Sequence, residues 1–211
     1  MTRLADARLY LVAPARIRAG ALSDLVPELV DAGVDVVQLR EKELPAGDIL
    51  SAAEPVAQAC RDSGVPFIVN DRADLALAVE ADGVHLGQDD GPVWLARRVL
   101  GDGIVGLSTH SDDQIETAMG DEVDYIAVGP VRETPTKPGR ASAGFAPLRY
   151  AASRCRGPWF AIGGINSTNV DEVLEAGARR VVVVRAITEA TDPARAAADL
   201  RDRLNTVPIG R

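Results

Sequence analysis

Short apolar runs alternate along the chain with longer amphipathic stretches. Eight of the runs are rich in aliphatic and β-branched residues, and they cover residues 9–13, 34–39, 67–70, 83–87, 103–108, 124–129, 159–164 and 181–184. Because these runs are apolar almost throughout rather than at alternate positions, they predict parallel strands that are buried on both faces.

The stretches between the strands have the residue spacing of amphipathic helices, and most of them end at a glycine. They cover residues 23–32, 46–63, 74–81, 92–100, 111–119, 147–154, 168–176 and 192–204. Ser23 and Asp192 stand where a side chain can cap the first turn of a helix. Eight strand–helix units in 211 residues predict an α/β fold, a single (β/α)8 TIM barrel over residues 1–211. An open, doubly wound parallel sheet is the alternative.

Composition and charge exclude several classes of protein. The chain carries 23 Lys and Arg residues against 31 Asp and Glu residues, and a net charge of −8 disfavours nucleic acids and anionic membranes as partners. No apolar run approaches the roughly 20 residues of a membrane span, and the N-terminus lacks a signal-peptide core. We therefore expect a cytoplasmic protein that acts on small molecules. The sequence leaves the oligomeric state open, a homo-oligomer included.

In a TIM barrel the active site lies at the carboxyl ends of the strands, so polar residues that follow the apolar runs are candidates. Strand periodicity places Gln38, Arg40 and Lys42 on one side of the second strand and Leu39 and Glu41 on the other. Two cations and an amide on one side suit a phosphate or diphosphate ligand. The alternative is a solvated cluster of charges.

Two aspartates follow the third and fourth strands. Asp71 and Asp90 would lie at neighbouring strand ends, where two carboxylates can share one divalent cation. Magnesium takes one or two carboxylates and completes its shell with water and substrate phosphates. Alternatively Asp71 is a turn residue and Asp90 a helix cap, and Asp89 could replace Asp90 as a ligand.

The fifth strand ends in Ser108, Thr109 and His110. Ser108 can donate a hydrogen bond to a ligand, but the chain has no GxSxG elbow, which disfavours a serine nucleophile. We expect His110 to lie in the following loop, and His85, within the fourth strand, to be a hydrogen-bonded barrel residue.

A long basic segment follows the sixth strand, at residues 129–140. Its Thr134, Thr136 and Lys137 can donate hydrogen bonds to phosphate oxygens, and a loop of this length can form a lid. A surface loop without a ligand is the alternative. The seventh and eighth strands end near Gly164 and Arg185, where TIM barrels often bind phosphate.

Five motifs together resemble the thiamine phosphate synthase family. They are QLREK, ND followed by HLGQxD, GxSTH, GPVxxTxTK and AIGGI, and they occur in the order and spacing of that family over residues 9 to 200. The resemblance implies a transferase that joins a pyrimidine diphosphate to a thiazole phosphate, with Mg²⁺ as cofactor, and releases diphosphate.

The resemblance also implies roles for individual residues. The implied catalytic residues are Arg40, Lys42, Ser108 and Lys137. The implied contacts with the pyrimidine diphosphate come from Gln38, Leu39, Arg40, Glu41, Lys42, Asn70, Ser108 and Lys137. Those with the thiazole phosphate come from Thr134, Pro135, Thr136, Gly164, Val184 and Arg185. The implied magnesium ligands are Asp71 and Asp90.

Three departures from the family pattern bear on these roles. The first strand reads LYLVAP where the family often has LYLVTD, Arg132 replaces an aromatic residue, and Arg185 replaces a serine. Arg185 could add a phosphate contact or obstruct the site. Two alternative functions stay open, namely a thiazole phosphate tautomerase, which is an isomerase of a related barrel branch, and a barrel that binds phosphate ligands without catalysis.

Overall fold

The computed structural model describes residues 4–133 and 142–209, and its centre is a closed barrel of eight parallel strands. The strands are β1 (Leu9–Ala13), β2 (Val36–Leu39), β3 (Phe67–Asn70), β4 (Gly83–Leu86), β5 (Ile104–Thr109), β6 (Tyr125–Val128), β7 (Trp159–Ile162) and β8 (Val181–Val183). Each strand pairs with its neighbours in the sequence, and β1 pairs with β8 to close the barrel. The predicted (β/α)8 barrel is confirmed, and the open sheet is wrong.

Helices follow the strands and pack around the outside of the barrel. They are α1 (Leu22–Asp31), α2 (Ala46–Ser63), α3 (Ala73–Ala78), α4 (Val93–Leu100), α5 (Asp112–Gly120), α6 (Ala146–Arg154), α7 (Val170–Glu175), α8 (Arg185–Thr188) and α9 (Pro193–Asn205). No helix among residues 4–133 and 142–209 is long and apolar enough to cross a membrane.

Local details differ from the sequence prediction in three places. The short helix α8 and a two-stranded ribbon, Arg16–Ile17 with Gly20–Ala21, were not predicted, because elements of two to four residues are too short to show a period. The side chain of Ser23 does not cap α1, so that prediction is wrong. The predicted cap of α9 is confirmed, since Asp192 accepts a hydrogen bond from the backbone N–H of Arg195 at 2.8 Å.

Apolar side chains form two cores, one between the strands and the helices and one inside the barrel. The inner core includes Tyr10, Val36, Ile68, Tyr125 and Phe160, which are all at most 2% exposed. The strands therefore have two buried faces, as their nearly continuous apolar runs predict. The inner core fills the part of the barrel at the amino ends of the strands and leaves the part at their carboxyl ends open.

Three aspartates secure the amino ends of alternate strands. Asp35, Asp82 and Asp124 each precede a strand and accept a hydrogen bond from the first backbone N–H groups of the preceding strand. Each also donates its own backbone N–H to that preceding strand. These reciprocal bonds fix the register of the strands at the amino end of the barrel. In TIM barrels this end contributes to stability, and it lies opposite the candidate site.

Candidate functional site

A cavity of about 450 Å³ opens at the carboxyl ends of the strands. This volume is in the range of small-molecule sites. Seven of the residues singled out from the sequence line it, namely Gln38, Arg40, Asn70, Ser108, Gly164, Val184 and Arg185. The structure therefore brings residues from five different strand ends into one cavity.

Other candidates lie outside the cavity wall. Leu39 is buried in the outer core, and Glu41 accepts a hydrogen bond from the backbone N–H of Ala15 at 2.7 Å. Period-two alternation explains both positions, since these side chains point away from Gln38 and Arg40. Four further candidates, Thr134, Pro135, Thr136 and Lys137, lie outside the described residues.

Lys42 is not part of the cavity lining and belongs to an acidic cluster with Asp71 and Asp90. Its Nζ is 2.9 Å from Oδ2 of Asp71, and the carboxyl group of Asp90 is hydrogen-bonded to that of Asp71. Asp90 also accepts a hydrogen bond from the backbone N–H of Gly87 at 2.7 Å. The two aspartates predicted to share a cation are therefore neighbours.

The backbone holds Asp71 in an unusual conformation. Its φ is +64°, and the N–H of Arg72 donates to the carbonyl of Asn70 at 2.8 Å, which is the bond of a γ-turn. The N–H of Asp71 itself donates to the carbonyl of His85 at 2.8 Å. A non-glycine residue is rare in this region, and such strain is common in binding sites. The turn directs the carboxylate of Asp71 toward Lys42 and Asp90.

The charge balance of the acidic cluster suits a cation. Burial and, next, the hydrogen bond to Asp90 raise the pKa of Asp71, although Lys42 opposes the change. Two carboxyl groups in contact need a proton or a cation between them. Among the described residues no group of three or more acidic, His or Cys side chains could hold a metal. Two carboxylates fit magnesium, which draws its other ligands from water and phosphate.

Asn70 presents a donor to the cavity. Its Nδ2 is a buried atom with no hydrogen-bond partner among the described residues, and the side chain lines the cavity wall. A buried donor without a partner costs about 1–3 kcal/mol, so a ligand acceptor at this point would gain that amount on binding. Ser108, on the next strand but one, is 6% exposed and faces the same cavity.

His85 connects this wall to the barrel interior. Its Nδ1 is 3.0 Å from the hydroxyl of Tyr125, and its Nε2 is 2.9 Å from Oγ of Ser108. The prediction that His85 is a hydrogen-bonded barrel residue is confirmed. His110 lies after β5, as expected, but it also lines the cavity and contacts the carbonyl of Gly129 through Nδ1.

The opposite wall comes from the ends of β7 and β8. Gly164 lines the cavity and has φ +67°, a conformation that favours glycine, and a Cβ there would lie 3.0 Å from Cβ of Arg132. Arg185 lies exposed at the start of α8 and pairs with Glu189 at 2.6 Å. Arg132 pairs instead with Glu172 at 2.8 Å and is not part of the cavity wall.

Several cavity residues were missed from the sequence. They are Tyr10, Glu133, Asn166 and Glu189. Tyr10 is hidden within an apolar run, and the others follow strand ends without forming a motif. One signal in the sequence could have identified Tyr10. It is a tyrosine in an otherwise aliphatic strand, and a buried hydroxyl group needs a hydrogen-bond partner.

Comparisons with known proteins identify the family of the chain. The family model for thiamine monophosphate synthase matches residues 9–187. The thiamine-phosphate synthase of Acidothermus cellulolyticus is 57% identical over 204 residues, which cover 95% of this chain and 96% of the relative. That of Saccharopolyspora erythraea is 53% identical, covering 96% of this chain and 95% of the relative.

A solved structure shows the same barrel. The thiamine phosphate pyrophosphorylase of Pyrococcus furiosus superposes with a TM-score of 0.86 at 31% identity, and the match covers 97% of this chain and 98% of the other. With these matches over almost its whole length, the chain belongs to the thiamine monophosphate synthase family and is a transferase of thiamine biosynthesis.

Proposed function

We propose that the protein condenses 4-amino-2-methyl-5-(diphosphooxymethyl)pyrimidine with 4-methyl-5-(2-phosphooxyethyl)thiazole to give thiamine phosphate and diphosphate. The observation that carries this proposal is the juxtaposition of a polar cavity and an acidic cluster. Gln38, Arg40, Asn70 and Ser108 line the cavity, and Asp71 lies directly after Asn70, paired with Lys42. Such a site can hold an organic ring beside a charged leaving group.

The pyrimidine ring is the part of the substrate that fits the polar wall. An aminopyrimidine carries N–H donors and ring-nitrogen acceptors. Gln38 and Asn70 have amide side chains that offer both kinds of group, and Nδ2 of Asn70 is buried without a partner among the described residues. The ring therefore satisfies a donor that is otherwise costly to bury.

The diphosphate is the part that fits the cationic side of the cavity. Arg40 lines the cavity, Lys42 follows it by two residues and pairs with Asp71, and both can neutralise phosphate oxygens. Asp71 and Asp90 would hold Mg²⁺, which when bound neutralises negative charge on the diphosphate. Lys42, which pairs with Asp71, would be a further cation for the leaving group. The family resemblance adds Lys137, outside the described residues, to the same task.

The reaction needs one bond to break and one to form. The bond between the exocyclic methylene carbon and the diphosphate oxygen breaks, and its electron pair leaves with the diphosphate. The 4-amino group of the pyrimidine stabilises the positive charge left on the methylene carbon. The thiazole nitrogen then donates its lone pair to that carbon and becomes the cationic nitrogen of thiamine phosphate. No proton is transferred, and no protein nucleophile is needed.

The protein's contribution is therefore position, charge and exclusion of water. Arg40 and Lys42 stabilise the charge that develops on the leaving group, which is a transition-state effect. Gln38, Asn70 and Ser108 orient the ring so that the methylene carbon faces the second substrate. Apolar residues of the cavity lining, Val12, Ala127 and Val182, limit the access of water to the carbocation.

The second substrate fits the opposite wall through its phosphate. Gly164 leaves the backbone open to close approach, and Arg185 can move its guanidinium from Glu189 to a phosphate. Val184 immediately precedes Arg185 and lines the same wall. The resemblance adds Thr134, Pro135 and Thr136, which lie outside the described residues.

The test is diphosphate release by the purified protein given the pyrimidine diphosphate and Mg²⁺, with and without thiazole phosphate. We expect release only with both substrates, its loss in EDTA, and a fall of about a hundredfold or more in Asp71→Ala. Asp48→Ala, which removes an exposed carboxylate on α2, is the matched control and should behave as wild type.

Two results would contradict the proposal. Binding of the pyrimidine diphosphate without product would favour a barrel that binds phosphate ligands without catalysis. Conversion of a thiazole phosphate tautomer without use of the pyrimidine would favour the isomerase.

A further inference from the structure

Five buried side chains form a continuous series of hydrogen bonds across the barrel, just beneath the cavity. Nε2 of Gln38 donates to the hydroxyl of Tyr10 at 2.9 Å, and that hydroxyl is 2.8 Å from the hydroxyl of Tyr125. Tyr125 is 3.0 Å from Nδ1 of His85, whose Nε2 is 2.9 Å from Oγ of Ser108. We call this series the polar relay. All five residues are at most 7% exposed, and both ends line the cavity.

The chemistry of the groups gives the polar relay one direction. An amide nitrogen only donates, so the hydroxyl of Tyr10 accepts from Gln38 and gives its single proton to Tyr125. Tyr125 then gives its own proton to Nδ1 of His85, which must be an acceptor. His85 is therefore neutral and carries its proton on Nε2, where it donates to Ser108. Ser108 keeps its own proton to donate into the cavity.

Packing fixes the members of the polar relay in place. The ring of His85 stacks on that of Tyr125, with centroids 5.5 Å apart and planes at 26°. Phe160 meets both tyrosine rings edge-on, at 5.5 and 5.6 Å. Gly106 lies beside Tyr125, and any Cβ there would overlap the tyrosine ring and hydroxyl. Because residue 106 is a glycine, there is room beside it for the ring and hydroxyl of Tyr125, the central member of the polar relay.

Burial also keeps both tyrosines protonated. The pKa of Tyr10 and that of Tyr125 lie above the ordinary value, chiefly because burial disfavours the phenolate. At neutral pH each hydroxyl therefore has the one proton that the directional order requires.

We infer that Tyr10, Tyr125 and His85 are positioning residues that hold Ser108 as a hydrogen-bond donor toward the pyrimidine diphosphate, with His85 fixed as its neutral Nε2–H tautomer. The substrate in this inference rests on the proposed function, whereas the tautomer is a property of the protein alone. The polar relay also couples Ser108 to Gln38, so the two ends of the pyrimidine site are oriented together.

The second histidine supplies an internal reference. The chain has two histidines, and Nδ1 of His110 contacts the backbone carbonyl of Gly129. A carbonyl only accepts, so Nδ1 of His110 must carry a proton. The two histidines therefore differ in a way that nitrogen NMR can read.

The first test is nitrogen NMR of the ligand-free protein labelled with ¹⁵N-histidine, with His110→Gln used to assign the signals. We expect His85 to show a protonated Nε2 and an unprotonated Nδ1, and His110 to show a protonated Nδ1. A proton on Nδ1 of His85, alone or together with Nε2, would overturn the inference. Because no substrate is present, this result stands whether or not the proposed function is correct.

The second test is a double-mutant cycle on affinity for the pyrimidine diphosphate. Tyr125→Phe should weaken binding about tenfold in the wild-type protein but by less than about twofold in Ser108→Ala, since its effect passes through Ser108. Equal losses in both backgrounds would overturn the inference. Tyr150→Phe, which removes a hydroxyl that contacts Glu116 on the outer helices, is the matched control and should change nothing. Thermal unfolding of each variant shows that the barrel is intact.

Discussion

The ammonium nitrogen of Lys42, after β2, lies 2.9 Å from a carboxylate oxygen of Asp71, after β3. Asp90 also contacts Asp71, so the single positive charge of Lys42 lies beside a pair of carboxyl groups. The side chain of Lys42 is 40% exposed and can leave this position. Asp71 and Asp90 are the residues that would hold Mg²⁺ in the proposed function, and Lys42 would then be able to pair with the diphosphate.

Asp71→Asn should stabilise the ligand-free protein while reducing its activity. Burial and the contact with Asp90 raise the pKa of Asp71 above the ordinary 3.8, so the native state binds this proton more tightly than the unfolded state does. Ionisation of Asp71 therefore lowers the free energy of unfolding as the pH rises above 3.8. Below that value both states are protonated, and the penalty vanishes.

Urea unfolding in EDTA measures this effect. The gain in stability of Asp71→Asn over wild type should be larger at about pH 7.5 than at about pH 4.5. A variant that is less stable than wild type across this range would mean that the ion pair with Lys42 outweighs burial and Asp90.

Arg185→Ala should weaken the thiazole phosphate end of the site alone. We expect the KM for thiazole phosphate to rise about fivefold, a modest factor because Arg185 is exposed and pairs with Glu189. The KM for the pyrimidine diphosphate should not change. Steady-state kinetics with each substrate varied in turn measures both values.

Arg132→Ala is the matched control for this change. It removes an exposed arginine that follows β6, where the side chain pairs with Glu172 away from the cavity. Its kinetics should equal those of wild type. A lower KM for thiazole phosphate in Arg185→Ala would show instead that the arginine obstructs the site.

The barrel could be predicted from the sequence because each strand is a short apolar run and each helix has an amphipathic period. The cavity wall could be predicted in part, because barrel geometry brings residues after the strands together. The contact with substrate that the resemblance implies for Glu41 stays a prediction, and its carboxylate accepts a hydrogen bond from the backbone N–H of Ala15. Strand periodicity had placed Glu41 on the opposite side from Arg40.

The polar relay could not be predicted, because its contacts depend on barrel closure. Tyr10 and Tyr125 are 115 positions apart, and their hydroxyls meet only across the interior. Within the apolar runs both residues read as core aromatics. The pairing of Gly106 beside Tyr125 in the strand register is likewise a property of the assembled barrel.

Gly106→Ala should disturb the inner core. Its Cβ would overlap the ring of Tyr125, and overpacking of this kind costs about 1–3 kcal/mol. Gly47→Ala, in α2 with no atom within 4 Å of its Cβ, should instead gain about 0.5–1 kcal/mol from helix propensity. Denaturant midpoints of the two variants should therefore move in opposite directions. Equal stability of Gly106→Ala and wild type would show that Tyr125 has room to move.

Asp35→Ala should separate stability from catalysis. Its Oδ2 accepts hydrogen bonds from the backbone N–H groups of Arg8 and Leu9, at 2.6 and 2.9 Å, and also pairs with Arg201. Loss of these partners should cost about 2 kcal/mol of stability. Asp35 lies at the amino end of the barrel, so kcat below the melting temperature should stay unchanged. A fall in kcat at constant fold would mean that the two ends of the barrel are coupled.

The most direct measurement is the ratio of thiamine phosphate formed to diphosphate released, by mass spectrometry and a diphosphate assay on the same reaction. Condensation at the cavity of Gln38, Asn70 and Ser108 predicts one thiamine phosphate for each diphosphate, and neither product when thiazole phosphate is left out. Diphosphate released without thiamine phosphate would mean that water reaches the carbocation, and the absence of both products from the complete reaction would contradict the account.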